Sequence, residues 1–299
     1  MQRCLALYLV PLSFVVSVTT KARANDETFT TIDFPGATLT AAYGINPRGD
    51  IVGRYIDAGG VIHGYLLRDG DFTSIHFPGA ILTAALGISP RGDIVGRYVD
   101  AGVSNGYLLR DGDFTSIHFP GATFTAALGI NSRGDIVGRY DVGDVTHGYL
   151  LSGERFTSID LPGAISTEAV RINPRGDIVG LYVEAGGVTH GYLLSGDDFT
   201  SIDFPGASFT NAAGINSRGD IVGWYIDAGG VTHGYLLSAE SFTSIDPPGA
   251  IQTNIWGINS RGDIVGLYVD AGGMTHGFLR SSEDEDDGQN NDCQHDDGG

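Results

Sequence analysis

Several residue types on which common protein classes depend are scarce in this chain. Among 299 residues there are two cysteines, which cannot form a disulfide framework, and Lys21 is the single lysine. Seventeen basic residues face 36 acidic ones, for a formal net charge of −19. Nucleic acids and anionic membranes are bound through basic patches, so neither is expected as a partner. The sequence also lacks a nucleophile elbow, a His-Glu-x-x-His motif and a phosphate-binding loop, so we predict no catalytic residue, cofactor or metal.

What the chain has in abundance is glycine and internal repetition. It contains 46 glycines without a Gly-X-Y period, while 41% hydrophobic and 10% aromatic residues suffice for a core. One phrase, Phe-Thr-Thr/Ser-Ile-Asp/His, recurs at spacings of 43, 42, 42, 43 and 43 residues. Its six copies begin at Phe29, Phe72, Phe114, Phe156, Phe199 and Phe242.

Each repeat predicts four short strands. β-branched and aromatic runs end at turn sequences every 8–12 residues, and no stretch has helical periodicity. A turn such as Ser89-Pro90-Arg91-Gly92 matches a type I turn followed by a left-handed glycine. Four strands in about 42 residues is the size of one propeller blade. The sequence therefore predicts an all-β fold, a six-bladed β-propeller over residues 25–280.

The phase of the repeats predicts how the ring closes. The repeats begin with the last strand type of a blade, Phe29–Phe34, and end after the third strand type, at His276–Arg280. Pairing of these two ends would complete the sixth blade and remove exposed sheet edges. We therefore expect a closed ring.

Both ends of the chain differ from the repeats. Residues 1–24 have an early Arg3, a short apolar run broken by Pro11 and an Ala-Arg-Ala exit, which predicts a signal peptide and an exported protein, secreted or periplasmic, without membrane insertion. Residues 281–299 are acidic and lack aliphatic and aromatic side chains, which predicts a disordered tail; weak cation binding there is the alternative. Cys293 would be a free thiol or form an intermolecular disulfide.

The phrase Gly44-Ile45-Asn46-x-x-Gly49-Asp50-Ile51-Val52-Gly53, followed by His63-Gly64-Tyr65-Leu66, resembles the bacterial HAF family of extracellular repeats. Here the His-Ala-Phe segment of that family is replaced by His-Gly-Tyr, or by Asn105-Gly106-Tyr107 in the second copy. The resemblance covers Phe29–Arg280. It implies an exported repeat protein and carries over no catalytic residue.

Two recurring motifs have a functional and a structural interpretation. Arg-Gly-Asp occurs six times, from Arg48-Gly49-Asp50 onwards, always at the same turn position. Turn geometry explains this placement better than an adhesive role does. A histidine near the fourth strand, replaced once by Asn105, is expected to make one structural hydrogen bond per blade. Asp33 and its equivalents, which are His76 and His118 in two copies, could instead form a carboxylate ring at the central channel.

Divergence between the repeats indicates where a ligand would bind. The residue after Ile-Val-Gly is Arg54, Arg97 and Arg139 in the first three repeats, whereas repeats four to six carry other residues there. Tryptophan faces beside amide and charged groups are typical of a pocket for a sugar or small polar ligand. Random drift, with Trp256 filling the core, is the alternative interpretation. The predicted binding residues are Glu168, Arg171, Asn211, Trp224, Asn254 and Trp256.

The sequence thus favours an exported, non-enzymatic propeller that binds an extracellular carbohydrate or protein surface. A structural envelope or matrix protein without a small-molecule ligand is the alternative, favoured by the uniformity of the repeats. The third hypothesis is an enzyme that acts on glycans or phosphoesters.

Overall fold

A computed structural model describes residues 23–24 and 27–282, with side chains from residue 28. Twenty-five strands and no helix occur in this part of the chain, which confirms the predicted all-β class. Accordingly, none of the described residues belongs to a helix that could cross a bilayer. The predicted signal peptide, apart from Arg23–Ala24, and Cys293 lie outside the described residues.

The strands form six antiparallel meanders of four, called blades here. The N-terminal strands are β1 (Arg23–Ala24) and β2 (Glu27–Ile32). Blade 1 contains β3 (Leu39–Ile45), β4 (Ile51–Ile56), β5 (Ile62–Arg68) and β6 (Asp71–Ile75). Blade 2 contains β7 (Leu82–Ile88), β8 (Ile94–Asp100), β9 (Val103–Arg110) and β10 (Asp113–Ile117). Blade 3 contains β11 (Phe124–Ile130), β12 (Ile136–Val142), β13 (Val145–Ser152) and β14 (Arg155–Ile159).

Blades 4 to 6 repeat the same order. Blade 4 contains β15 (Ala164–Ile172), β16 (Ile178–Glu184), β17 (Thr189–Ser195) and β18 (Asp198–Ile202). Blade 5 contains β19 (Phe209–Ile215), β20 (Ile221–Ile226), β21 (Thr232–Ser238) and β22 (Ser241–Ile245). Blade 6 contains β23 (Gln252–Ile258), β24 (Ile264–Val269), β25 (Thr275–Ser281) and, from the other end of the chain, β2.

The two ends of the repeat region meet in blade 6. β2 pairs with β25 in antiparallel register, with Phe29 opposite Arg280 and Ile32 opposite Gly277, as the phase of the repeats predicts. β25 extends through Ser281, one residue beyond the predicted domain boundary, and Asp263 accepts hydrogen bonds from both the backbone N–H and the hydroxyl of Ser282. No hydrogen-bonded sheet of the described residues runs all the way round, so a closed six-bladed ring rests on packing and stays a prediction.

Hydrophobic clusters lie between neighbouring blades. In each cluster, buried residues of one blade contact a valine from the second strand of the preceding blade. Val265 of blade 6 packs in this way with Ile45 and Tyr65 of blade 1 and with Ile32 of β2. The apolar residues of the repeat are thus buried between blades, where sheet faces pack against each other.

Close backbone approach explains one invariant glycine of the repeat. A Cβ at Gly53 would lie 2.0 Å from the carbonyl oxygen of Ala41 and 2.7 Å from the Tyr65 ring. Both distances are far below van der Waals contact. Glycine after Ile-Val is therefore required for the tyrosine of the third strand to pack fully buried beside it.

The first strand of each blade also carries a β-bulge. In β3 the register shifts between Ala42 and Gly44, so that Tyr43 has no partner in β4. The same shift occurs in β7, β11, β15, β19 and β23. A bulge bends the strand and redirects the extra residue. The bulge residues of the six blades are Tyr43, Leu86, Leu128, Val170, Ala213 and Trp256.

Candidate functional site

Three variable positions of the repeat converge on one cavity. It has a volume of about 450 Å³ and is lined by bulge residues, by the residue two places before the bulge and by the residue after Ile-Val-Gly. The last two positions lie opposite each other in the ladder, for example Trp224 opposite Asn211. We call this cavity the wide mouth. Five of the six predicted binding residues line it: Glu168, Arg171, Asn211, Trp224 and Trp256.

Arg171 forms the floor of the wide mouth and also borders a second, smaller cavity on its far side. Nη1 donates to the carbonyls of Leu128 (2.6 Å) and Val170 (2.9 Å), and Nη2 donates to those of Tyr43 (2.5 Å) and Leu86 (2.8 Å). These four acceptors are bulge residues of blades 1 to 4, so one side chain links four blades. Burial lowers the pKa of the Arg171 guanidinium to about 10, which leaves it protonated at neutral pH.

The terminal N–H groups of Arg171 therefore donate to the protein itself. The sequence-based prediction made it a direct ligand contact. Its four terminal N–H groups instead have carbonyl acceptors, because the bulges leave those carbonyls facing the axis. Arg171 contributes charge and a floor to the wide mouth.

Blades 5 and 6 supply an aromatic and amide side to the wide mouth. The Trp224 ring stacks on Phe209 at 4.5 Å between centroids, which covers one of its faces, and lies 6.4 Å from Trp256. Trp256 meets Tyr43 edge-on at 5.5 Å. Nε1 of Trp224, Nε1 of Trp256 and Oδ1 of Asn211 are buried and have no hydrogen-bond partner. Trp256 thus lines the cavity and is not part of the hydrophobic cluster of its blade, so its position does not favour the alternative in which it fills the core.

Blades 1 to 3 supply a cationic side. Arg97 and Arg139 line the wide mouth, and the Arg54 guanidinium lies 5.8 Å from the centroid of the Tyr43 ring, which also lines it. Arg139 forms an ion pair with Glu168 at 2.6 Å and lies 4.8 Å from the Phe124 ring. Among the described residues Arg97 has no ion-pair partner. Its pKa is lowered by burial, and further by the charges of Arg54 and Arg139.

Asn254 does not belong to the wide mouth, so its prediction as a contact is not supported by its position. It is 8% exposed, and its Oδ1 accepts a hydrogen bond from Gln252 Nε2 at 3.1 Å. Sequence reasoning, conversely, treated Arg97 and Arg139 as background because they are common to the first three repeats. One feature of the sequence could have identified them as cavity residues: they occupy the same repeat position as Trp224.

The smaller cavity, called the narrow mouth here, has a volume of about 100 Å³ and is lined by the turns after the first strand of all six blades, whose sequence is Gly-Ile-Asn-Pro/Ser except for Ser89 in blade 2 and Arg171 in blade 4. In blade 1, Asn46 Oδ1 accepts hydrogen bonds from the backbone N–H groups of Arg48 and Asp50, and its Nδ2 donates to Asp50 Oδ2. Gly49 has a φ of 89°, so the predicted left-handed glycine of the turn is confirmed.

The Arg-Gly-Asp motif belongs to the same turn. Arg48 donates to Asp50 and, through Nη1, to the Pro90 carbonyl of blade 2 at 2.7 Å. Burial would raise the pKa of Asp50, but hydrogen bonds from Arg68, Asn46 and Arg48 more than offset it, and the pKa is lowered. Arg261 likewise donates to the Pro47 carbonyl, which links blade 6 to blade 1. The structural interpretation of the motif thus accounts for its recurrence.

The recurring histidines each bind a side chain at the end of the following fourth strand. His147 Nδ1 lies 2.6 Å from Asp160 Oδ1, and Asn105 Oδ1 lies 2.9 Å from His118 Nδ1, so asparagine replaces histidine as expected. The aspartates are therefore partners of these histidines and do not line either axial cavity, so the suggested carboxylate ring at the channel is wrong. Across residues 28–282, no cluster of three potential metal ligands occurs.

Comparison with known proteins establishes the fold and leaves the family open. No protein-family model and no curated protein sequence matches the chain, so membership in the HAF family stays a prediction. The chain is similar to TolB from Acinetobacter baumannii, with a TM-score of 0.55 and 15% identity over 83% of this chain and 65% of TolB.

Two further solved structures resemble the chain over most of their length. One is the β-propeller domain of the trilobed protease from Pyrococcus furiosus, with a TM-score of 0.55 and 14% identity over 86% of this chain and 85% of that one. The other is a mutant Aleuria aurantia lectin in complex with Fucα1-6GlcNAc, with a TM-score of 0.51 and 14% identity over 81% and 91%. At these identities the likeness shows the fold alone, which is a β-propeller.

Proposed function

We propose that the protein is an exported, non-enzymatic β-propeller that binds a carbohydrate at the wide mouth. The observation that carries this proposal is the convergence of Trp224, Trp256 and Asn211 on one cavity, each with a buried polar atom that lacks a partner. Its volume of about 450 Å³ suits a mono- or disaccharide.

The chemistry of these three side chains matches that of a sugar. The apolar faces of sugar rings pack against aromatic rings, and the hydroxyls both donate and accept hydrogen bonds. After a rotation of each side chain that exposes these buried atoms to the cavity, the two indole N–H groups would donate to hydroxyl oxygens and Asn211 Oδ1 would accept from a hydroxyl. Leaving buried polar atoms unpaired costs about 1–3 kcal/mol each, so a ligand that pairs them recovers stability.

The comparisons support a binding role without identifying the ligand. A lectin of the same fold has been solved with a fucose-containing disaccharide, and that lectin is described as fucose-specific. Propeller relatives also include a protease domain, so the fold by itself does not decide the function. The proposal therefore rests on the residues of the wide mouth, and export rests on the predicted signal peptide.

Tryptophan fluorescence provides a direct test because both tryptophans of the chain line the wide mouth. We expect a saturable fluorescence change and a raised melting temperature when the purified protein is titrated with a panel of mono- and disaccharides. Asn211→Ala should weaken binding about tenfold, the value of one to two hydrogen bonds.

Asn254→Ala is the matched control, since Asn254 occupies the same repeat position but does not line the cavity. Its affinity should stay within about twofold of the wild-type value. No fluorescence change and no thermal shift across the panel would refute carbohydrate binding and favour a structural repeat protein. Conversion of a saccharide during the titration would instead establish an enzyme.

A further inference from the structure

The wide mouth concentrates positive charge in a strongly acidic protein. The whole chain has 17 basic and 36 acidic residues, yet Arg97, Arg139 and Arg171 line this one cavity, and Arg54 lies over the ring of Tyr43, which also lines it. Glu168 is the only acidic residue among those that line it. Like charges held together in a partly buried space repel one another, so a bound anion would stabilise their placement.

The interactions of these arginines show which positive charge has no negative partner. The Arg171 guanidinium is surrounded by neutral carbonyls, and Glu168 neutralises Arg139. Arg54 is held against the Tyr43 ring. Arg97, between Arg54 and Arg139 in blade order, has no carboxylate partner in the described part of the chain. The burial and neighbouring positive charges that lower its pKa are those that a bound anion would counter.

Building on the proposed carbohydrate site, we propose that its ligand is an acidic saccharide, whose carboxylate or sulfate pairs with Arg97 while its ring packs against Trp224 and Trp256. A planar guanidinium binds a carboxylate or sulfate through two parallel N–H bonds, which fixes orientation as well as charge. The cationic blades 1 to 3 and the aromatic blades 5 and 6 form opposite sides of one cavity, so a single sugar acid would contact both.

Methyl esterification supplies a matched pair of probes that differ in charge. We would titrate the protein with digalacturonate and with its methyl ester, using tryptophan fluorescence, at 50 and 300 mM NaCl. The acid should bind at least tenfold more tightly than the ester, because a charge-assisted hydrogen bond is worth about that factor. Its affinity should fall with salt, whereas that of the ester should not.

Variants that remove either a positive or a negative charge test where the anion binds. Arg97→Gln should weaken digalacturonate binding about tenfold and leave ester binding within twofold. Glu168→Gln should strengthen acid binding by roughly threefold because it removes a negative charge beside the ligand. Arg155→Gln removes the same charge from an exposed residue of β14 and should leave both affinities unchanged.

The outcomes separate the two proposals. Equal affinity of acid and ester, or an unchanged affinity in Arg97→Gln, would overturn the acidic ligand while leaving carbohydrate binding in place. Absence of binding by both probes and by the neutral panel would overturn both proposals. Saturation by sodium sulfate or acetate alone with equal affinity would show a simple anion site and overturn the requirement for a sugar ring. A sulfated galactose that competes with digalacturonate would identify sulfate as an accepted anion.

Discussion

The two mouths of the propeller lie on either side of Arg171, and they differ in how the residues that line them are paired. The narrow mouth is lined by turns whose Asn, Arg, Gly and Asp bind one another and the next blade. The wide mouth is lined by arginines in blades 2 and 3 and by tryptophans in blades 5 and 6, and several of its polar atoms have no partner. A surface that satisfies its own hydrogen bonds stabilises the packing of the blades, whereas one with unpaired polar atoms can bind a ligand.

Arg171 marks the boundary between these two regions. It replaces the glycine that the other five repeats carry, and it borders both cavities. Its side chain fills the axis that Gly44 and its equivalents leave free, so the wide mouth has a floor. One substitution in one repeat therefore separates the narrow mouth from the wide mouth.

The largest expected effect comes from removing the strand that joins the two chain ends. Deletion of residues 25–36 should abolish cooperative folding or lower the melting temperature by more than about 10 °C. The buried Phe29 and Ile32 would be lost, at about 5 kcal/mol or more, and about 2–4 °C follows each kcal/mol. Both mouths should be lost together if the ring is closed.

Differential scanning calorimetry measures this effect, and deletion of residues 283–299 is the control. That shorter chain should melt as the full-length protein does, because the predicted tail has no aliphatic or aromatic side chain to bury. An unchanged melting temperature after deletion of residues 25–36 would contradict ring closure.

Arg171→Met should destabilise the protein by about 2–4 kcal/mol, because four carbonyls of four blades lose a charged donor and cannot be hydrated by an apolar side chain. Arg171→Gly restores the residue of the other repeats and leaves space for water, so its cost should be about half as large. The free energy of unfolding, measured by urea denaturation, gives both values. Equal stability of Arg171→Met and the wild type would show that the guanidinium makes no net contribution.

The smallest effect concerns the one turn of the narrow mouth that departs from the pattern. Ser89 replaces asparagine in blade 2, and its Oγ accepts the backbone N–H groups of Arg91 and Asp93 but has no amide to offer Asp93. Ser89→Asn should stabilise the protein by about 0.5–1.5 kcal/mol by adding the bond that Asn46 makes to Asp50.

Ser89→Ala is the matched control and should destabilise the protein by about 1–2 kcal/mol, because two backbone N–H groups lose their acceptor. Neither Ser89 variant should change saccharide affinity, since Ser89 does not line the wide mouth. If Ser89→Asn weakened binding instead, the two mouths would be coupled and the separation drawn here would be wrong.

The amino-acid sequence by itself determined the repeat, its four strands, its turns and the residues that vary between copies. These are local properties, because β-branched runs, Asn-Pro-Arg-Gly turns and a period of 42–43 residues can all be recognised in the amino-acid sequence. Five of the six predicted binding residues line the wide mouth, because variation between the repeats is concentrated at the positions that surround it; their role in binding stays a prediction.

Only the tertiary structure decided what those residues do. Four bulge carbonyls accept the terminal N–H groups of Arg171, and a neighbouring glutamine binds Asn254, which stays outside the cavity. That Arg97 and Trp224 line the same cavity cannot be read from the amino-acid sequence. The repeat period shows which residues occupy equivalent positions in their blades, but it does not show which blades face one another. Distances and free hydrogen-bonding atoms arise only when the six blades are packed around one axis.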